Sequence, residues 1–373
     1  MKVVAAIDSF KGSMTSMEAG NAVKKGILAA KPDAEVWLSP LADGGEGTVD
    51  ALIEGLGAEK IPVTVAGPLG EKVSCYYGFL EETKTAVMEM ASAAGITLVI
   101  KKDPLRASTY GVGEMIADAL KRGCKNFMIG IGGSATNDGG IGMLKALGFE
   151  FFDEDGNDVG EGAAALAKIE VIRTENKNPL LSGAKFQIAC DVKNPLCGKQ
   201  GATYIFGPQK GVTEEQKSKV DEAMKHYADV TKESLGCDFA DCEGAGAAGG
   251  LGYAFLSYLA GELIPGVELI LQATGLEEKM KNADVVVTGE GRLDAQTVMG
   301  KAPVGVAALA KKYNAKVIAF AGSVAPEASV CNQAGIDAFF PIVRGVTTLE
   351  EAMKKENAME NIAATAEQVF RLL

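Results

Sequence analysis

Glycines and chemically active side chains occur together in five segments, each of which follows a predicted strand. These segments are residues 8–13, 40–48, 130–140, 191–202 and 288–301. Glycine lets backbone amides approach an anion closely, and the start of a helix favours negative charge. In an open parallel sheet, ligands bind beyond the carboxyl ends of the strands, where these segments are expected. The pattern therefore predicts a site for a phosphate-bearing ligand.

The charged residues in and near these segments suit a nucleotide that carries a divalent cation. The acidic residues are Asp8, Asp43, Glu46, Asp138, Glu290 and Asp294, and the basic residues are Lys11, Lys210, Arg292 and Lys301. In nucleotide sites Mg²⁺ is usually held by one or two carboxylates together with phosphate oxygens. Phosphoryl transfer depends on positioning and on charge neutralisation, so it requires no histidine. The combination is typical of a phosphotransferase.

Other catalytic classes find little support. The single histidine, His226, stands in a charged helical stretch and is predicted to face solvent. The seven cysteines form no C-x-x-C pair. No G-x-x-x-x-G-K-[ST] motif is present, which excludes a P-loop kinase. Gly130, Gly132 and Ala135 match the dinucleotide fingerprint only loosely, because glycines continue through residue 140 where a helix should already run.

Length and charge limit the class of protein further. A chain of 373 residues suggests about two domains. With 37 basic and 49 acidic residues the net charge is −12, so nucleic acids and anionic membranes are unfavourable partners. The apolar run before Asp8 is too short for a signal peptide or a membrane span. We therefore expect a cytoplasmic protein with reduced thiols, of unknown oligomeric state.

Apolar periodicity predicts an α/β fold made of two domains. A strand at residues 2–7 leads to a helix that a Thr15/Glu18 capping box opens, and a second strand and helix follow at 35–38 and 49–56. After Pro62 the pattern changes to strands joined by hairpins, at residues 61–66, 73–80 and 85–90.

The parallel pattern resumes at residue 283. Strands are predicted at 284–287, 316–320 and 337–342, followed by a closing helix at 349–372. The economical architecture is one α/β domain made from residues 1–62 and 283–373, with a second α/β domain inserted at residues 63–282.

Seven motifs occur in an order and spacing that resemble those of the bacterial glycerate kinases of the type-1 family. They cover residues 8–13, 40–48, 132–140, 190–198, 206–211, 246–252 and 289–297. The resemblance extends from residue 1 to about residue 370. It implies a flavodoxin-like parallel-sheet domain built from both termini and an inserted domain with a restriction-enzyme-like core.

The resemblance also implies ATP-dependent phosphorylation of D-glycerate in a cleft between the two domains, with Mg²⁺ as the cation. Many members of the family form 2-phosphoglycerate and others form the 3-phosphate, and we take the 2-phosphate as the favoured product. Two other classes stay open: a non-catalytic nucleotide or sugar-acid sensor, and an NAD-dependent dehydrogenase. The sensor is disfavoured because the chain has no basic or helix-turn-helix segment left over.

With the resemblance as a guide, the residues receive hypothetical roles. Asp191 is the base that orients the glycerate hydroxyl, and Lys11 or Arg292 binds the glycerate carboxylate or the transferring phosphoryl group. The residues assigned to ATP are Gly132, Gly133, Ser134, Ala135, Thr136 and Lys301. Those assigned to the substrate are Asp8, Asp43, Gly44, Gly45 and Asn137. Asp294 and Glu290 are assigned to Mg²⁺, with Asp43 in reserve.

Overall fold

The computed structural model describes residues 1–42 and 48–373 and confirms the α/β class. Asp43, Gly44, Gly45 and Glu46, which the sequence places at the site, lie outside the described residues. The chain divides into two compact units. The terminal unit comprises Met1–Asp43, Asp50–Gly57 and Val267–Leu373, and the central unit comprises Gly44–Val49 and Ala58–Gly266. The division at residues 62 and 283 stays a prediction.

The strands of the described residues alternate with helices in the terminal unit and cluster in the first half of the central unit. In chain order they are β1 (Lys2–Ile7), β2 (Glu35–Pro40), β3 (Glu59–Ala66), β4 (Lys72–Leu80), β5 (Thr85–Glu89), β6 (Asn126–Gly130), β7 (Glu150–Phe152), β8 (Val171–Arg173), β9 (Lys185–Ala189), β10 (Glu262–Ile264), β11 (Val285–Leu293), β12 (Lys316–Val324) and β13 (Ala338–Pro341).

The α-helices range from single turns to the long helix α8 of the central unit. In chain order they are α1 (Ser16–Ala30), α2 (Thr48–Leu56), α3 (Ala91–Ala94), α4 (Tyr110–Lys121), α5 (Ile141–Ala146), α6 (Ala163–Leu166), α7 (Ala202–Lys210), α8 (Glu214–Leu235), α9 (Ala247–Leu259), α10 (Gly266–Ala273), α11 (Leu276–Met280), α12 (Ala302–Lys311), α13 (Val330–Gln333), α14 (Leu349–Met353) and α15 (Lys355–Arg371).

The terminal unit is built on a five-stranded parallel sheet with the order β2-β1-β11-β12-β13. Counted within the unit, this is the 2-1-3-4-5 order of flavodoxin-like doubly wound sheets. Residues 3–7 of β1 are buried, as expected for a central parallel strand covered on both faces. Helices α1 and α15 pack against each other and close the core around Val3, Ile27 and Phe370.

The central unit contains a mixed six-stranded sheet with the order β10-β9-β6-β5-β4-β3. Its first three pairs are parallel, and the β5–β4 and β4–β3 pairs are antiparallel, which confirms the predicted hairpins. The core includes stacked rings of Phe127 and Phe186, whose centroids are 4.7 Å apart. The carboxyl ends of β5, β6 and β9 thus lie side by side. Likeness to a restriction-enzyme core stays a prediction.

Two predicted elements have different bounds in the structure. Strand β11 continues to Leu293, where the sequence predicted a loop from residue 288, because it pairs with β12 as far as Val324. The closing helix is two helices, α14 and α15, because the backbone at Lys354 is extended (ψ 128°). Both differences shape the site described below.

His226, predicted to face solvent, is instead partly covered and contacts the backbone. The imidazole Nε2 of His226 lies 2.7 Å from the carbonyl oxygen of Ile169, and the side chain is half-buried. All seven cysteines are free. Among the helices of residues 1–42 and 48–373, none combines the length and the apolar character that crossing a bilayer requires.

Candidate active site

The terminal unit has a cavity of about 410 Å³ at the point where the strand order of its sheet reverses. The order runs outward from β1 to β2 on one side and from β11 to β13 on the other, so the ends of β1 and β11 form the switch point where doubly wound sheets bind ligands. Six residues predicted from two of the five segments, 8–13 and 288–301, line this one cavity: Asp8, Lys11, Glu290, Arg292, Asp294 and Lys301. The chain of contacts below explains how each is placed.

The segment after β1 is held as a tight hairpin at the cavity. Phe10 and Met14 exchange backbone hydrogen bonds of 2.9 and 3.1 Å, and Gly12 makes the turn with a φ of +78°. The buried hydroxyl of Ser16 donates to the carbonyl of Ile7 at 2.6 Å and accepts from the amide of Leu41 at 2.9 Å. These bonds fix the segment that carries Asp8 and Lys11.

Strand β11 presents its polar residues to the cavity because it remains a strand beyond the predicted end. Side chains alternate along a strand, so Glu290 and Arg292 share a face. Gly289 permits the close pairing, since a Cβ there would stand 2.2 Å from the carbonyl oxygen of Phe320. The strand therefore carries one carboxylate and one guanidinium into the same cavity.

Glu290 is the most deeply buried acid of this cavity, together with Asp8; each is 7% exposed. Its Oε1 accepts a hydrogen bond of 2.7 Å from the hydroxyl of Thr297, and its Oε2 accepts one of 3.1 Å from Nζ of Lys301. Burial raises the pKa of Glu290, while the bonds from Thr297 and Lys301 oppose that rise. The buried carboxylate of Glu290 thus holds the ammonium group of Lys301 in place at the cavity.

Asp294 lies at the edge of the cavity between two cations. Its Oδ1 accepts from the amide of Gln296 at 2.9 Å and lies 4.0 Å from Nζ of Lys301. Its Oδ2 lies 3.4 Å from Nε of Arg292, whose side chain is 66% exposed. The arrangement presents the guanidinium of Arg292 to solvent and to an incoming anion.

These carboxylates are a poor fit for the predicted Mg²⁺ site. Both oxygens of Glu290 already accept hydrogen bonds, and both oxygens of Asp294 face donors or cations. Within residues 1–42 and 48–373 no group of three His, Cys, Asp or Glu side chains could hold a metal ion. Mg²⁺ at Asp294 and Glu290 stays a prediction, and no step below runs through the ion.

The opposite wall of the cavity is apolar and was not predicted. Helix α14 contributes Leu349, Ala352 and Met353, and Gly12 faces the methyl group of Met353. The continuous helix expected over residues 349–372 concealed this short element. Thr348, whose side chain caps the amide of Glu351, explains the start of α14 at the predicted residue, but it gives no signal for the break at Lys354.

In the central unit, the glycine-rich segment after β6 is open at its start. Gly132 and Gly133 are exposed, and among the described residues no hydrogen-bond partner is found for their amides. Ser134 is 7% exposed, and the segment is anchored beside it by the bond from the amide of Ala135 to the carbonyl of Ala94. Unpaired amides in a glycine turn at a strand end suit an anion.

The second half of the same segment is buried and serves the fold. The side chains of Thr136, Asn137 and Asp138 have no exposed surface. Nδ2 of Asn137 donates to the hydroxyl of Thr203 at 3.0 Å. Nζ of Lys210 donates to the carbonyl of Thr136 at 2.6 Å. The structure therefore brings Gly132 and Gly133 to the surface, whereas Ser134, Ala135, Thr136 and Asn137 are buried.

Asp138 and Lys210 owe their shifted pKa values to burial. Asp138 accepts two hydrogen bonds of 2.8 Å from the amide and hydroxyl of Thr109, and further bonds from the amides of Gly140 and Gly142. Burial raises the pKa of Asp138 in spite of these bonds. Burial lowers the pKa of Lys210 to about 7, and the charge of Asp138 opposes that shift.

Asp191 follows β9, the parallel neighbour of β6, and its side chain is exposed. Its Oδ1 accepts a hydrogen bond of 2.9 Å from the amide of Gly266, the first residue of α10. One carboxylate oxygen is thereby fixed at a helix start. The structure places Asp191 in the central unit with the glycine-rich segment, whereas Lys11 and Arg292 belong to the terminal unit.

The fold is that of an α/β protein whose two candidate sites lie at the carboxyl ends of parallel strands, where such proteins bind ligands. The family model described as "Glycerate kinase family" matches residues 3–373. The chain belongs to this family, and it is a kinase.

The chain is similar to named relatives and to a solved structure over almost its whole length. A protein named "Glycerate kinase" from Bacillus subtilis is 45% identical over 371 residues, which cover 99% of this chain and 97% of the relative. "Glycerate 2-kinase" from Escherichia coli is 45% identical over 372 residues, covering 98% of each. A crystal structure described as "putative glycerate kinase 2 from Salmonella typhimurium LT2" superposes with a TM-score of 0.91 at 43% identity, covering 99% of this chain and 97% of that one.

Proposed function

We propose that this protein transfers a phosphoryl group from ATP to a hydroxyl group of D-glycerate. The observation that carries the proposal is the switch-point cavity, where Lys11 from one segment meets Arg292 and Lys301 from another. Three cations around a small cavity suit an acid that gains further negative charge during the reaction. The names of the relatives support glycerate as that acid.

The terminal unit binds the acid in this proposal. Arg292 is largely exposed and offers a planar pair of donors that matches a carboxylate, whereas Lys11 acts as a point charge. Asp8, on the same cavity, accepts a hydrogen bond from a glycerate hydroxyl. Lys301 supplies positive charge to the transferring phosphoryl group while it remains paired with Glu290.

The central unit binds the phosphates of ATP. The amides of Gly132 and Gly133 and the hydroxyl of Ser134 contact phosphate oxygens at the end of β6. Ala135, Thr136 and Asn137 act indirectly, because they are buried and hold the segment in shape. An apolar pocket is not needed for this role, since backbone amides recognise phosphate by geometry.

Asp191 is the proposed base. As the new bond forms between the glycerate oxygen and the γ-phosphorus, the bond from that phosphorus to the β,γ-bridging oxygen breaks. ADP leaves with the electron pair, and Asp191 accepts the hydroxyl proton. In a loose transition state the carboxylate mainly positions the hydroxyl. Its bond to the amide of Gly266 keeps it in a fixed orientation.

Three finer points remain predictions: 2-phosphoglycerate as the product, transfer in a cleft between the two units, and a cytoplasmic location. The experiment that tests the function also identifies which phosphate is formed. The purified protein is incubated with Mg²⁺, ATP and D-glycerate, and ³¹P NMR follows the phosphorus signals.

We expect loss of ATP and a new phosphomonoester signal. Coupling to one carbon-bound proton identifies the 2-phosphate, and coupling to two protons identifies the 3-phosphate. A folded protein that consumes no ATP with D-glycerate contradicts the proposal. ATP loss that yields only inorganic phosphate contradicts it as well, because it shows hydrolysis without transfer.

A further inference from the structure

Lys210 is a buried cation that the proposed mechanism does not use. It is the last residue of α7 and is only 2% exposed. Lysine is almost never buried to this degree without a partner. Among the described residues, Nζ of Lys210 has one hydrogen-bond acceptor, the carbonyl oxygen of Thr136 at 2.6 Å. The partner of this lysine is therefore the backbone of the glycine-rich segment that follows β6.

A second residue of α7 contacts the same segment. Thr203 stands seven residues before Lys210, so the two side chains share one face of the helix. The hydroxyl of Thr203, which has no exposed surface, accepts a hydrogen bond of 3.0 Å from Nδ2 of Asn137. Helix α7 thus holds two consecutive residues of the segment, Thr136 through its carbonyl group and Asn137 through its side chain.

The exposed turn that precedes these two residues depends on its neighbours for its shape. Gly132 and Gly133 have no side chains, and glycine has more conformational freedom than any other residue. The amide of Ile96 holds one side of the turn by donating to the carbonyl of Gly133 at 2.8 Å. Because a peptide unit is planar, the bond from Lys210 to the carbonyl of Thr136 fixes the orientation of that whole unit. Lys210 therefore limits the conformations of the chain just beyond the turn.

A charged side chain is a costly choice at this position for packing alone. Burial lowers the pKa of Lys210 to about 7, and the charge of Asp138 opposes that shift. The hydrogen bonds found for Asp138 come from Thr109 and from the amides of Gly140 and Gly142 rather than from Lys210. An apolar side chain of similar volume would fill the same space without the cost of burying a charge. The retained lysine indicates a use beyond filling the core.

We propose that Lys210 is a positioning residue, which holds the segment after β6 in the conformation that presents the amides of Gly132 and Gly133 to the phosphates of ATP. This inference rests on the proposed function and adds the helix that sets the shape of its phosphate site. Without the bond to Thr136, the turn spends less time in the binding conformation. The apparent affinity for a ligand falls in proportion to the fraction of molecules in the competent state. The effect belongs to the binding of ATP, because the proposed function places D-glycerate in the terminal unit.

The test compares Lys210→Met with the wild type and with Lys145→Met as a matched control. Methionine keeps much of the aliphatic length of lysine and removes its donors. Lys145 belongs to α5 in the same unit, and its side chain is 14% exposed. Its Nζ donates to the carbonyl of Gly160 at 3.0 Å and to Oδ1 of Asp158 at 2.6 Å, so it fastens a different stretch of backbone.

A second variant, Thr203→Val, removes the other contact of α7 with the segment and introduces no charge change. For each protein we would measure the melting temperature at pH 7, kcat, KM for ATP and KM for D-glycerate.

We expect Lys210→Met to raise KM for ATP about tenfold or more, which corresponds to a competent fraction of about one-tenth, and to leave KM for D-glycerate within about twofold. Thr203→Val should raise KM for ATP in the same direction, and Lys145→Met should keep both KM values. A lysine that served only the fold would change the melting temperature and the amount of active enzyme, and hence kcat, but neither KM.

An unchanged KM for ATP in Lys210→Met overturns the inference and leaves the proposed function intact. An equal rise of both KM values also overturns it, because the effect would not be specific to the phosphate site. If Lys210→Met does not fold, Thr203→Val decides, and a wild-type KM for ATP in that variant overturns the inference. A wild-type protein that does not phosphorylate D-glycerate overturns the proposed function first, and the inference with it.

Discussion

Replacing Lys301 by methionine should lower the free energy of unfolding, because the buried carboxylate of Glu290 loses its positively charged partner. Nζ of Lys301 donates to Oε2 of Glu290, a carboxylate that is only 7% exposed. Methionine keeps much of the aliphatic length of lysine and removes the charge. Of its two hydrogen-bond donors among the described residues, the carboxylate of Glu290 would then keep the hydroxyl of Thr297.

The distance sets the magnitude of this loss. At 3.1 Å, two unit charges interact with about 5 kcal/mol at an effective dielectric constant of 20 and about 1.3 kcal/mol at 80. The side chain of Lys301 is one-third exposed, so solvent screens the pair in part. We expect Lys301→Met to lower the free energy of unfolding at pH 8 by about 2–3 kcal/mol, just below the range of about 3–5 kcal/mol for a fully buried pair.

The pH dependence has a definite sign. Burial already raises the pKa of Glu290 above that of the unfolded chain, so the folded state binds this proton more tightly. The contribution of Glu290 to the free energy of unfolding is therefore most favourable at low pH, and it is lost as pH rises through the pKa of Glu290 in the folded state. Lys301→Met removes a group that lowers this pKa and moves it further up. The stability loss should be larger at pH 8 than at pH 5.

The assay is urea unfolding at low ionic strength of the wild type, Lys301→Met, Glu290→Gln and the double variant, at both pH values. The double-mutant cycle isolates the energy of the pair from other effects of each substitution. A coupling energy below about 0.5 kcal/mol at pH 8 would refute the reasoning, since that is the level of distant, independent sites. So would a stability loss that is the same at pH 5 and pH 8.

Three further predictions concern the central unit. Asp191→Asn should lower kcat at least about 100-fold with an unchanged melting temperature, because asparagine keeps an acceptor for the amide of Gly266; wild-type turnover would remove Asp191 from the mechanism. Gly249→Ala should destabilise the fold by more than about 2 kcal/mol in denaturant unfolding, since its φ is +70° and a Cβ would stand 2.2 Å from the carbonyl oxygen of Thr136; a wild-type midpoint would contradict this packing. Lys210 has a pKa of about 7 in the folded state against 10.5 in the unfolded state, so the unfolded state binds more protons between pH 7 and pH 9 and the free energy of unfolding should rise over that range. Lys210→Met should flatten this rise. An identical slope in both proteins would show that Lys210 does not cause it.

Elements that depend on local sequence were predicted well. The capping box at the start of α1 is present, with the hydroxyl of Thr15 accepting from the amide of Glu18 and the carboxylate of Glu18 accepting from the amide of Thr15. Helix α8, which contains the charged helical stretch predicted around His226, begins after the capping residue Thr213 and ends at Gly236, and both are local signals.

Elements that depend on a distant partner were predicted less well. The second half of β11 contains two glycines and three polar or charged residues, a composition with low strand propensity. It is a strand because β12 lies beside it with a matching length. The sequence around residue 290 therefore indicated a loop, although the residues of the loop were the right ones for the cavity.

The terminal-unit residues that the sequence singles out line one cavity, and a simple rule explains why. Parallel strands end at one edge of a sheet, so residues that follow β1 and β11 meet whatever their separation in the chain. Asp8 and Lys11 thus line one cavity with Glu290 and Arg292. No comparable rule divides the segment after β6 into an exposed half with Gly132 and a buried half with Asn137. Which half of this segment is buried depends on where other helices pack on it.

The start of helix α9 covers the buried half of this segment and is itself glycine-rich, so glycine content alone does not locate a ligand site. Ala248, Gly249 and Gly250 all have left-handed backbone at the start of α9, and the amide of Gly139 donates to the carbonyl of Gly249 at 2.9 Å. These glycines allow two backbones to touch. At Gly132, by contrast, no atom of the described residues lies within 4 Å of an added Cβ, and φ is not left-handed. Gly132 also follows the carboxyl end of β6, where parallel strands bind ligands, whereas Gly249 and Gly250 are explained by packing and backbone conformation. Position at a strand end, together with space that the fold does not use, is therefore a better guide to a ligand site than glycine content.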